Sequence, residues 1–97
     1  RAGRAMTGRI RRSVWFAGRV QGVGFRFTAC ELAERFAVTG YVRNLRDGRV
    51  ELVAEGDADE VDRFVRAVHE AMHGYIRSVE QTDSPATGEF ADFGVRY

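Results

Sequence analysis

Gly22, Gly24, Arg26 and, in a later segment, Asn44 are the residues of this chain whose types and order suit the handling of a phosphoryl group. Glycine has no Cβ, so the backbone around Gly22 and Gly24 can turn sharply and aim several N–H groups into one concavity. A helix that starts near Phe25 adds unpaired N–H donors and the positive end of its dipole. Such a cradle fits an anion with three oxygens around one centre. Arg26, in the first turn, contributes a permanently charged, two-pronged donor. Asn44 is neutral, with one acceptor and two donors; it can hold a water molecule in a fixed orientation but cannot act as a base at pH 7. Each residue also has a plainer reading: a glycine turn kept for packing, an arginine paired at the surface, an asparagine ending a strand.

The elements around these residues decide whether they can meet. Ser13 to Gly18 is aromatic and β-branched and stops at glycine, which predicts a strand. From Phe25 to about Phe36, apolar Phe25, Ala29, Leu32, Ala33 and Phe36 recur at helical steps. Val38 to Asn44 reads as a second strand and Arg49 to Glu55 as a third. Between them Asp47-Gly48 predicts a hairpin with a type I′ turn. Asp57 and Glu60 resemble a capping box ahead of a second helix, whose stripe of Val61, Phe64, Val65, Val68 and Met72 runs to Gly74. Tyr75 to Thr82 is expected as a fourth strand, Asp83-Ser84-Pro85 as a loop, and Phe90 to Tyr97 as a short closing strand. The order βαββαβ predicts an α+β, ferredoxin-like plait: an antiparallel sheet, two helices on one face and a short extra C-terminal strand. In that topology the first two strands run the same way and finish at one edge. The glycine loop and Asn44 therefore converge.

The string Gly18-Arg19-Val20-Gln21-Gly22-Val23-Gly24-Phe25-Arg26 resembles the first signature of the acylphosphatases. Gly40-Tyr41-Val42-Arg43-Asn44, followed by Asp47-Gly48-Arg49-Val50-Glu51, resembles the second. The family spaces its arginine and asparagine as Arg26 and Asn44 are spaced here; Thr28, Gly56 and the closing Phe93-Gly94-Val95-Arg96-Tyr97 also fit. Tyr41 stands where tryptophan is common, and Ala71-Met72-His73-Gly74 lacks the proline turn many members carry. The resemblance implies hydrolysis of acyl phosphates to carboxylate and inorganic phosphate, without cofactor or metal. It makes Arg26 the phosphate-binding arginine and Asn44 the water-orienting residue, and it places substrate binding on the backbone of Val20, Gln21, Gly22, Val23, Gly24 and Phe25. Ninety-seven residues fit one domain, expected over residues 10–97 behind a leader at 1–9, and Phe27 stands where related domains of hydrogenase-maturation carbamoyltransferases often carry proline, which favours a free-standing enzyme.

Other patterns compete. His69-Glu70-Ala71-Met72-His73 matches a zinc-hydrolase helix motif, but a third protein ligand would have to come from a carboxylate such as Glu80 or Glu89. A non-catalytic plait that binds a ligand is the broader alternative. Fifteen basic and 14 acidic residues, with net charge +1, argue against a nucleic-acid footprint, which needs basic residues gathered on one face. No apolar run approaches the ~20 residues of a membrane span. Cys30 is the only cysteine, so no intrachain disulfide can form and a cytoplasmic location is expected, while small size and mixed charge lean to a monomer. On the first helix Cys30 reads as a small buried apolar residue.

Overall fold

The computed structural model describes residues 8–97; most of the expected leader, residues 1–7, lies outside them. The elements are β1 (Arg9–Gly18), α1 (Phe25–Ala33), β2 (Thr39–Asn44), β3 (Val50–Asp57), α2 (Ala58–Ala71), a single 3₁₀ turn (His73–Tyr75), β4 (Ile76–Pro85) and β5 (Phe93–Val95). They form one five-stranded sheet in the order β4-β1-β3-β2-β5. Alternation along the strands sends Val14, Phe16, Val42, Val50, Leu52 and Ala54 toward the helices, where all are fully buried. From α2, Val61, Phe64 and Val68 meet them, and Phe25 and Ala29 do so from α1. Truncating Phe64 to alanine would leave a cavity in the middle of this layer, at a cost of about 4 kcal/mol.

β1 begins at Arg9, well before Ser13. Arginines are poor strand indicators, but here ion pairs hold them: Arg11 Nε is 2.9 Å from Glu55, and Arg12 reaches Asp83 at 2.8 Å and Asp62 at 3.2 Å. α1 ends at Ala33, short of Phe36, with the Glu34 N–H on the carbonyls of Glu31 and Leu32. Phe36 still packs on Phe64 at 5.9 Å, so the apolar period outlives the helix. Asp57 is the N-cap residue of α2 but makes no side-chain cap. Glu60 instead accepts a 2.9 Å bond from the Ala37 N–H, tying α2 to the start of β2.

Three connections also differ from expectation. Among the described residues only glycines have positive φ, so Asp47 does not adopt a type I′ geometry. The loop is one residue longer than a two-residue turn: Leu45 N–H bonds Arg49 O, Gly48 N–H bonds Leu45 O, and Gly48 takes φ 96°. β4 runs on to Pro85 instead of stopping at Thr82; on an edge strand the missing proline N–H can face outward at little cost. β5 pairs parallel to β2, Gly40 opposite Phe93, so the sheet is mixed rather than wholly antiparallel. The chain leaves β4 at one edge and crosses to the other, and so enters β5 running in the same direction as β2.

Candidate active site

Phe16 on β1 and Asn44 on β2 both sit opposite Val50 of the strand between them. The ends of β1 and β2 are thus two strand spacings apart, about 10 Å. The loop leaving β1 is pinned at both ends. Arg19 N–H donates to Tyr75 O at 2.9 Å, and Phe25 is buried with its ring centroid 4.9 Å from that of Phe16. Between those points Val20 is fully buried, and Gln21 Nε2 donates to Leu45 O (2.8 Å) and Arg49 O (2.9 Å). That carboxamide ties the loop to the β2–β3 hairpin immediately beyond Asn44.

Gly22 and Gly24 have φ of 77° and 83°. A Cβ on either would touch nothing within 4 Å, so the backbone conformation demands glycine there, not lack of room. Positive φ at Gly22 and Gly24, on either side of Val23, whose φ is not positive, is the kind of alternation that can turn successive amides to one side as a nest for an anion. The first helical bond runs from Thr28 N–H to Gly24 O; among the described residues, no N–H from Val20 to Phe27 donates to a backbone carbonyl. α1 has no acidic residue in its first turn, which leaves the positive end of its dipole uncompensated.

A cavity of about 360 Å³ lies over this nest, lined by Val20, Gly22, Gly24, Phe25, Arg26 and Asn44, with Phe27, Cys30, Val95 and Tyr97 around them. Arg26 is half-buried and has no acidic partner among the described residues. Its guanidinium carbon stands 5.4 Å from the centre of the Tyr97 ring. Asn44 is also half-buried at the strand end. Cys30 is half-buried on the cavity wall, not fully enclosed. Burial, then the nearby Glu34 carboxylate, pushes its thiol pKa up, which works against a thiolate nucleophile.

Arg26, Asn44, Val20, Gly22, Gly24 and Phe25 therefore come together as the sequence suggested, although Val20 and Phe25 turn their side chains into the core. Gln21 and Val23 do not line the cavity; Gln21 uses its side chain as the bridge to the hairpin. Phe27, Val95 and Tyr97 were not anticipated. Phe27 did carry a signal, because it falls off the apolar stripe of α1 and is an exposed aromatic next to Arg26. The pair His69 and His73 lies elsewhere: His69 lines a separate surface cavity with Arg12 and Asp62, and a ring nitrogen of His73 is 3.2 Å from Glu70 O. No group of three or more His, Cys, Asp or Glu side chains is placed to hold a metal ion among the described residues. No helix among them is long and apolar enough to cross a membrane.

Comparison with known proteins points the same way. A family model described as Acylphosphatase matches residues 12–95. The chain is 50% identical over 91 residues to an acylphosphatase of Rubrobacter xylanophilus, covering 93% of this chain and 81% of that one. It is 44% identical over 87 residues to an acylphosphatase of Paenarthrobacter aurescens, covering 89% and 93%. Among solved structures it resembles the acylphosphatase from Bacillus subtilis with TM-score 0.81 and 31% identity, over 91% of this chain and 99% of that one.

Proposed function

This chain belongs to the acylphosphatase family and hydrolyses acyl phosphates, and from that premise we propose how its own residues divide the reaction. The phosphoryl oxygens sit in the ring of amides from Val20 to Phe25, with the guanidinium of Arg26 beside them. Asn44 holds a water on the face of phosphorus opposite the acyl oxygen. The water attacks in line, and the amides and Arg26 stabilise the negative charge on the equatorial oxygens. The bond from phosphorus to the acyl oxygen breaks, and its electron pair departs on the carboxylate. A carboxylic acid has a pKa of roughly 4, so this group leaves readily without receiving a proton. The water's proton passes to a non-bridging phosphoryl oxygen. Neither a general acid nor a metal is then required, and the protein's task is positioning and charge stabilisation.

The observation that carries this reading is the run of backbone N–H groups without backbone acceptors, sharing one cavity with Arg26 and Asn44. The test is hydrolysis of benzoyl phosphate by the purified chain in excess chelator, with inorganic phosphate as competing ligand. Turnover should persist in chelator, and phosphate should inhibit competitively. Loss of activity on chelation, restored by a divalent cation, would refute the metal-free scheme. A cytoplasmic monomer is the accompanying proposal, supported by the lone Cys30 and by nearly balanced charge. Sedimentation at micromolar concentration tests the monomer.

A further inference from the structure

We propose that Phe27, together with Val95 and Tyr97, forms an acyl-recognition rim that makes this enzyme prefer bulky apolar or aromatic acyl phosphates over small ones; this rests on the assignment of the phosphate cradle above. Once the phosphoryl group occupies the nest, the acyl part of a substrate must project outward, along the remaining wall of the cavity. That wall is Phe27, Val95 and Tyr97, which are 68%, 38% and 97% exposed, with half-buried Cys30 beside them. Singly exposed apolar side chains are ordinary on a protein surface, but here three of them border one opening and form a patch of the kind that marks a binding site.

Their positions have a local origin. Phe27 sits in the first turn of α1, one residue after Arg26, and points away from the stripe of Phe25, Ala29 and Ala33 that enters the core. Val95 ends β5, which lies beside β2 with Val95 opposite Val42, and so approaches Asn44 from the sheet edge. Tyr97 follows, its ring facing the Arg26 guanidinium. Arg26 is the only charged side chain among the residues lining the cavity. When it binds the phosphoryl oxygens, no second cation in the lining remains for an acyl group that carries its own anion. The rim can offer apolar contact and ring stacking, and those reward an aromatic acyl group.

The experiment measures kcat/KM for benzoyl phosphate and acetyl phosphate in the intact chain, Phe27→Ala and Phe27→Leu, with the inhibition constant of inorganic phosphate for each. Taking the benzoyl-to-acetyl ratio of each variant relative to the intact chain cancels the differing intrinsic reactivity of the two anhydrides. Phe27→Ala should lower that ratio about tenfold, the scale of selectivity that apolar pocket contacts supply, while Phe27→Leu retains most of it. The phosphate inhibition constant should move by less than about twofold, which also reports an intact fold. An unchanged ratio, or equal loss on both substrates, would overturn the rim while leaving the cradle in place. If the intact chain hydrolyses neither substrate, the assignment of the cradle fails, and the rim falls with it.

Discussion

Two regions of this molecule use the same donors for opposite ends. On the face of the sheet away from the helices, Glu55 is fully buried and accepts bonds from the Thr87 N–H (3.0 Å), the Gly88 N–H (2.9 Å), the Thr87 hydroxyl (2.9 Å) and Arg11 Nε (2.9 Å). Backbone amides and one guanidinium thus surround three-atom carboxylate geometry supplied by the chain itself. At the other end of the sheet, amides from Val20 to Phe25 and the guanidinium of Arg26 form a comparable set of donors, with no acidic partner among the described residues. In the first region the anion is covalently present and the interactions hold the crossing from β4 to β5 in place. In the second the acceptor must come from outside, and in the reaction proposed above the same interactions serve binding and catalysis. An unpaired donor is costly in a dry core but tolerable in an open cavity, where water can serve until substrate arrives.

The comparison breaks most sharply at Arg26. Arg26→Ala should reduce kcat/KM for benzoyl phosphate by on the order of a thousandfold, and inhibition by inorganic phosphate should vanish, because a charged donor to the transferring group is lost. Thermal stability should hardly change, since among the described residues the side chain makes no ion pair and meets only the Tyr97 ring. Asn44→Ala should lower kcat by about a hundredfold while the phosphate inhibition constant stays within about threefold. Equal, severe loss of phosphate binding in both variants would contradict the division of roles.

Glu55 is the counterpart. Glu55→Gln should cost about 2 kcal/mol of unfolding free energy at pH 7, measured in urea, and leave turnover within about twofold. Burial raises its pKa, but the bonds from Thr87, Gly88 and Arg11 outweigh this and hold it below the ordinary 4.5. Its contribution is therefore complete above that value and is lost as falling pH protonates it in the folded state. Asp62 and Asp83, held down chiefly by Arg12, act in the same direction. Acid unfolding followed by Trp15 fluorescence should be flatter in Glu55→Gln than in the parent, and identical slopes would remove Glu55 from the account. The smallest effect is expected at Gly24→Ala, about 1 kcal/mol of stability from forcing a side chain to φ 83°. Phosphate should bind several-fold more weakly as the nest relaxes, measurable by inhibition.

Much of the molecule was legible before any coordinates. The stripe of Val61, Phe64, Val65 and Val68 marked α2, alternation marked β3, and the βαββαβ order already implied that the glycine loop and Asn44 share an edge. What periodicity misjudged has a common cause. Phe36 keeps the apolar rhythm of α1 after the helix has stopped, and Arg11 and Arg12 extend β1 only because Glu55, Asp62 and Asp83 lie across from them. Glu60 reads as half of a capping box, yet its carboxylate bonds a residue on another segment.

Local pattern thus determined most of the residues that enter the core and where the glycine loop, Arg26 and Asn44 fall relative to the strands and α1, because backbone geometry and side-chain period act over only a few neighbours. The tertiary structure alone decided that β5 joins β2 in parallel, that Gln21 bridges to the hairpin, and that Phe27, Val95 and Tyr97 meet around one opening. These depend on residues far apart in the chain, whose distances are set by the packed sheet and carry no trace in local spacing.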